Sequence, residues 1–338
     1  MAWADLTDVR CYYELVGQGD PLLLIPGLGG DCRVWDPVAP LLAENFSLIL
    51  ADNRGLGRSL ARRKPRTLAD YAADIAELLD RLQLDRAHVL GISLGGLIAQ
   101  RFALEHPGRI DKLVLVSCTD RFSPYLMRIV GLLGHSLRRL PRAAFVQTME
   151  LLGTAPLYLD ANVDEIDRMA RERVRAGVPA RAMGDQLRCL LRSEVPAEHY
   201  KIAAPTLVVA GEHDALIPNC YAKLMASKIP DSRFELIAGA GHNPIVEAPD
   251  AVIPIITRFL RERTAPQAQA PPRQEQEQGG AAPLSPRWQE QERIPSAPTA
   301  GQAGRAPQAG KPQAGKPQAG KPHAGVPQST RARRGRHT

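Results

Sequence analysis

Val89-Leu90-Gly91-Ile92-Ser93-Leu94-Gly95-Gly96 decides how this chain is read. It begins as a buried strand and ends as the first turn of a helix, with Gly-x-Ser-x-Gly at the change of period. Between the two there is room only for a sharp turn, which puts Ser93 in a strained backbone conformation. Gly91 and Gly95 flank the serine because side chains there would collide with the neighbouring strand and helix. The expected result is a hydroxyl held clear of the surface at the carboxyl end of a sheet. The Leu94 amide, at the helix N-terminus, then points where an oxyanion could form. Such a pattern also recurs by chance, as a small residue in a tight turn, so its surroundings must decide.

Outward from this stretch, apolar runs of strand length alternate with segments of helical period. Residues 9–16, 21–25, 46–51, 113–118, 206–210 and 234–237 read as strands, and 34–43, 68–82, 94–105 and 248–263 as helices, with Pro254 kinking the last. Thr67 and Asp70 have the spacing of a capping box at the start of the second helix. The alternation argues for an α/β fold with a doubly wound, mostly parallel sheet. It breaks over 119–200, which is helical in period and rich in arginine, as expected of an inserted lid over the carboxyl edge of the sheet. The arginines from Arg138 to Arg175 read as a solvated helical face. If some faced the pocket instead, a carboxylate-bearing substrate would suit them. Trp35 and Met127 read as packing residues.

A serine at such a turn needs a base to take its proton and an acid to orient that base. Both belong on loops at the carboxyl ends of later strands. Gly211-Glu212-His213-Asp214 and Gly239-Ala240-Gly241-His242-Asn243-Pro244 lie there. Ser93, Asp214 and His242 are the candidate nucleophile, acid and base. Asp120, just past the strand 113–118, is the rival acid. Asp52 also follows a strand, but it reads as knitting its loop together with Arg54. His213 reads as packed on the sheet edge, His106 as a helix end and His88 as a surface residue.

Over 13–260 the chain resembles the serine α/β-hydrolase family, in its branch with a helical lid. The matching blocks are Pro26-Gly27-Leu28-Gly29-Gly30, Asp52-Asn53-Arg54-Gly55-Leu56-Gly57-Arg58-Ser59, Gly91 to Gly96, Gly211 to Asp214, and Gly241-His242-Asn243-Pro244 through Glu247 to Pro249. Within the family it is most similar to 3-oxoadipate enol-lactonases and small carboxylesterases. Many relatives carry histidine before the first glycine of the oxyanion loop, where this chain has Pro26. The resemblance implies attack by Ser93 on the carbonyl of a small ester or lactone, with the backbone N–H groups of Leu28 and Leu94 as oxyanion hole and no cofactor. The same residues would serve a C–C bond hydrolase of a vinylogous diketone. An interaction protein on a hydrolase scaffold is the non-catalytic alternative. Serine at position 93 argues against the aspartate chemistry of haloalkane dehalogenases and epoxide hydrolases.

Composition divides the chain into a hydrolase-like domain, 1–264, and a Pro/Gln/Ala/Gly-rich tail, 265–338, too poor in apolar residues to fold. The tail contains tandem Gln-Ala-Gly-Lys-Pro repeats and carries 11 Lys/Arg against 4 Asp/Glu, which accounts for the whole net charge of +7. The domain is therefore neutral, and no nucleic-acid partner is expected of it. Its five scattered cysteines include no C-x-x-C pair and suggest a reducing compartment without a metal site. With no secretory-type start and no run of about 20 apolar residues, a cytoplasmic location is expected.

Overall fold

The computed structural model describes residues 2–177, 179–193 and 198–262. The tail expected over 265–338 lies outside the described residues. Nine strands form one sheet: β1 (Ala2–Asp5), β2 (Val9–Val16), β3 (Asp20–Ile25), β4 (Phe46–Ala51), β5 (Leu60–Ala61), β6 (Ala87–Ile92), β7 (Ile110–Val116), β8 (Thr206–Gly211) and β9 (Ser232–Ile237). Their spatial order is β1-β2-β4-β3-β6-β7-β8-β9, with β5 beside β2. From β4 to β9 every pairing is parallel, and β1, β2 and β5 add an antiparallel edge.

Parallel strands covered on both faces should be apolar throughout, and β6 and β8 are buried along their whole length. Alternate residues supply two cores. Leu23, Val89, Leu113 and Val208 face one, packed with α2 (Leu68–Arg81), α3 (Leu94–Glu105) and α9 (Asn219–Ala226). Leu24, Leu90, Val114 and Val209 face the other, packed with α1 (Ala39–Ala43) and α11 (Pro249–Arg261), the latter preceded by the short α10 (Pro244–Glu247). The Thr67–Asp70 capping box opens α2 as expected. The segment expected to be helical over 34–43 is instead a 3-10 turn, Cys32–Trp35, followed by α1. Pro37 and Pro40 explain the break, since neither has an N–H to give and each restricts the residue before it.

Between β7 and β8 run α4 (Pro124–Arg139), α5 (Arg142–Gly153), α6 (Pro156–Ala161), α7 (Val163–Ala176) and α8 (Ala180–Arg192), with no strand among the described residues. This is the expected lid. Its arginines from Arg138 to Arg175 are exposed; Arg168 pairs with Glu165 and Glu172, and Arg171 with Asp167, all on α7. No helix among the described residues is long and apolar enough to cross a membrane.

The chain winds from β3 outward to β4, then returns to place β6 on the other side of β3. The carboxyl ends of β3 and β6 therefore flank the point where winding direction reverses, the usual place for a ligand in an open α/β sheet.

Candidate active site

Ser93 leaves β6 at that switch point with φ +55° and ψ −119°, a conformation rarely adopted by residues other than glycine. Surrounding structure enforces it. The Ser93 amide donates to Val116 O at 2.9 Å, and the residue is the N-cap of α3. A Cβ at Gly91 would lie 2.3 Å from Gly95 O, and one at Gly95 would lie 2.1 Å from Ile25 O. Both glycines thus permit strand, turn and helix to close on one another. Gly27, from the loop after β3, approaches so closely that a Cβ there would sit 3.3 Å from Ser93 Cβ. Among the described residues no hydrogen bond engages the amides of Leu28 or Leu94. The Leu94 amide is free because the first N–H groups of a helix have no acceptor within it.

Two and three strands further along, Asp214 follows β8 and His242 follows β9. Both are buried, and His242 Nδ1 lies 2.7 Å from Asp214 Oδ2. Asp214 Oδ1 accepts the amides of Leu216 and Ile217 at 2.9 and 2.8 Å. A carboxylate so committed accepts a hydrogen bond from Nδ1–H, leaving Nε2 as the imidazole's lone-pair nitrogen. The fold brings acid and base together; among the described residues the Ser93 hydroxyl makes no hydrogen bond to His242. Such contacts are often long before substrate binds.

Asp120 is placed differently. Its carboxylate pairs with Arg121 at 3.0 Å and with Lys228. Burial pushes its pKa up, but those two cations outweigh burial and hold it below the usual carboxylate range. Asp52 accepts the amides of Cys32 and Arg58 at 2.8 and 2.7 Å and so does knit its loop, though not with Arg54. Arg54 turns away to a two-point pair with Asp74, 2.5 and 2.6 Å, whose carboxyl burial pushes up to about 6 against the pull of Arg54. Asp31, Cys32 and Asp52 bring ligand-type atoms within 4.8 Å of one another. Arg58 donates to Cys32 Sγ at 3.0 Å, and burial pushes that thiol up to about 12.

Two of the histidines depart from expectation. His213 is exposed rather than packed, and His88 is buried edge-on to Phe46. His106 caps the end of α3 as expected.

Three further residues shape the site without having been singled out for a role. Glu247 accepts the amides of Gly241 and Asn243, on either side of His242, at 2.8 and 3.1 Å. It also accepts the Ala155 amide at 2.9 Å, while the His242 amide donates to Gly153 O at 3.1 Å, so the base loop and the α5–α6 bend of the lid are stitched together. Tyr125 Oη, at the start of α4, donates to Ala215 O at 2.5 Å beside Asp214. Gln186 of α8 accepts the Gly29 amide at 2.9 Å. Only Glu247 had a signal in the sequence, its place in the block after His242.

A parallel sheet with a strained serine at its switch point, a buried His–Asp pair from the second and third strands on and a helical insertion over the edge defines an α/β-hydrolase framework. The chain belongs to the alpha/beta hydrolase fold family, whose model matches residues 20–249. It is 31% identical over 259 residues to RutD of Caulobacter sp. strain K31, a protein named for carbamate hydrolysis; the match covers 75% of this chain and 97% of that one. A thermophilic esterase from Thermogutta terrifontis is 27% identical, with TM-score 0.69, covering 77% of this chain and 98% of the other. The enol-lactonase of Burkholderia xenovorans LB400 shares the fold at TM-score 0.71 and 24% identity, covering 77% of this chain and all of that one.

Proposed function

We propose that this hydrolase cleaves a small carboxylic ester or lactone through an acyl-enzyme on Ser93. The observation that carries the reading is the Asp214–His242 hydrogen bond of 2.7 Å, on the same sheet edge as the strained serine. Ser93 Oγ attacks the carbonyl carbon as its proton passes to His242 Nε2, and Asp214 stabilises the imidazolium. The amides of Leu28 and Leu94 receive the oxyanion, each worth about 3 kcal/mol in such sites. His242 then protonates the leaving alkoxide. Water, deprotonated by the same nitrogen, releases the acid and restores the serine. The likeness to RutD carries a second reading, a carbamate carbonyl attacked in the same way.

Turnover of p-nitrophenyl acetate and butyrate, a lactone and a carbamate ester is the test, wild type beside Ser93→Ala. Loss of turnover in Ser93→Ala, together with fluorophosphonate labelling of Ser93 in the wild type, is expected. Activity surviving the substitution would overturn the reading, and the preferred member of the panel chooses between its two forms.

A further inference from the structure

Gln186 has no exposed surface, and its side-chain amide is only half used. Oε1 accepts the Gly29 amide at 2.9 Å; among the described residues Nε2 has no partner. The orientation is forced, because a flipped amide would set its NH2 against the Gly29 N–H. A buried donor left without an acceptor costs about 1–3 kcal/mol, so a fold that keeps one has a reason elsewhere. Its location supplies one. Gly29 is the residue after Leu28, whose amide is free, and Met183, one helical turn before Gln186, closes over the same loop: a Cβ at Gly29 would fall 2.7 Å from Met183 Cε. The lid thus anchors the Gln186 side-chain amide on the oxyanion loop through Oε1, with its N–H2 left over.

We propose that Gln186 is a specificity-determining residue, whose Nε2 donates to a second acceptor oxygen on the acyl part of the substrate. This deepens the function proposed above and rests on it. The carbonyl oxygen received by Leu28 is bonded to the acyl carbon, so a group fixed beside that amide meets the acyl chain, which stays on the enzyme through both steps. The acceptor is uncharged. Gln186 is neutral, and the lid arginines among the described residues are exposed, including Arg181, Arg188 and Arg192 on its own helix, with Arg188 paired to Asp185; none of the described lid arginines is buried beside this amide to balance a carboxylate. The substrate class is therefore an ester or lactone bearing a keto, ether or further carbonyl oxygen near the scissile bond.

The test uses near-isosteric pairs that differ by an oxygen: p-nitrophenyl butyrate against methoxyacetate, and pentanoate against 4-oxopentanoate. Intrinsic reactivity is removed by dividing each kcat/KM ratio by the ratio for hydroxide. In the full-length wild type the oxygenated member of at least one pair should be favoured about tenfold beyond hydroxide, the worth of one such hydrogen bond. Gln186→Met lowers both members by freeing the Gly29 amide, and it should abolish that preference. A wild-type ratio no greater than that of hydroxide in both pairs overturns the proposal without any variant, as does a preference that survives in folded Gln186→Met. Preference for p-nitrophenyl hemisuccinate over all of these overturns the uncharged class. If the parent reading is the one that fails, Ser93→Ala retains turnover of every ester, a result separate from any of these.

Discussion

Asp214 holds His242 with one carboxylate oxygen and two successive backbone amides with the other, whereas Asp120, at the end of the strand between them and Ser93, holds two cations. Both aspartates are buried, and only Asp214 meets the imidazole. Asp214→Asn can turn an N–H2 toward Nδ1 and favour the other imidazole tautomer, so it should lower kcat by about 10⁴-fold with the fold intact. Asp120→Asn releases Arg121 and Lys228, whose side chains are 43% and 38% exposed and can regain water. It should cost about 1–2 kcal/mol of stability and leave kcat within about threefold. Steady-state kinetics and thermal unfolding of both variants decide; equal kinetic losses would remove Asp214 from its role.

Glu247 places three amides around one carboxylate, and two of them flank the base. Glu247→Ala frees all three and lets the His242 loop and the lid bend move apart. Displacement of a catalytic group by about 1 Å can cost 10²-fold, so kcat should fall by about 10–100-fold with KM little changed. Glu247→Gln, which keeps one acceptor oxygen, should recover part of the loss. A lower Tm with unchanged kcat would show that the clamp serves stability alone.

What could be read in advance was whatever is written locally. Continuous apolar runs marked the parallel strands, and glycine-punctuated loops marked Ser93, Asp214 and His242 because a strand end, a turn and a reactive side chain lie within a few residues of one another. β1 escaped because Ala2-Trp3-Ala4-Asp5 is a short edge strand with Ala4 alone fully buried. His88 was read as a surface residue, yet it packs against Phe46, which is 42 positions away in sequence and brought near only by the sheet. Gln186 was illegible for the same reason: one glutamine in an amphipathic helix says nothing until the fold brings it to Gly29, 157 residues earlier. His242, which meets Asp214, and Lys228, which meets Asp120, are likewise distant from them in sequence.

Close approach separates the glycines into those that must stay and those that need not. A Cβ at Gly95 would press on Ile25 O at 2.1 Å and Pro26 O at 2.8 Å, both backbone atoms of the strand and oxyanion loop. Gly95→Ala should therefore destabilise by about 3 kcal/mol or more and abolish activity. Gly131 lies inside α4 with nothing within 4 Å of a Cβ. Gly131→Ala should stabilise by about 0.5–1 kcal/mol by reducing the freedom of the unfolded chain. Urea unfolding of the pair checks both signs, and a stable, active Gly95→Ala would contradict the packing seen at the turn.

Glu150, half-buried on α5, gives the lid a pH dependence of its own. Burial pushes its carboxyl up to about 7, Arg173 pulls it down and Asp167 pushes it further up. A folded-state pKa above the unfolded value of 4.5 means that the folded chain keeps a proton the unfolded chain has already lost. Stability contributed by this group is thus present below about 4.5 and is lost as pH rises to about 7. Glu150→Gln carries no charge at any pH. It should match the wild type in thermal unfolding at pH 4 and exceed it at pH 8, by about 1–2 °C once the group's partial exposure is allowed for. The same gain at both pH values would assign the effect to packing. A loss at pH 8 would mean that the ionised form is held by Arg173 more strongly than burial opposes it.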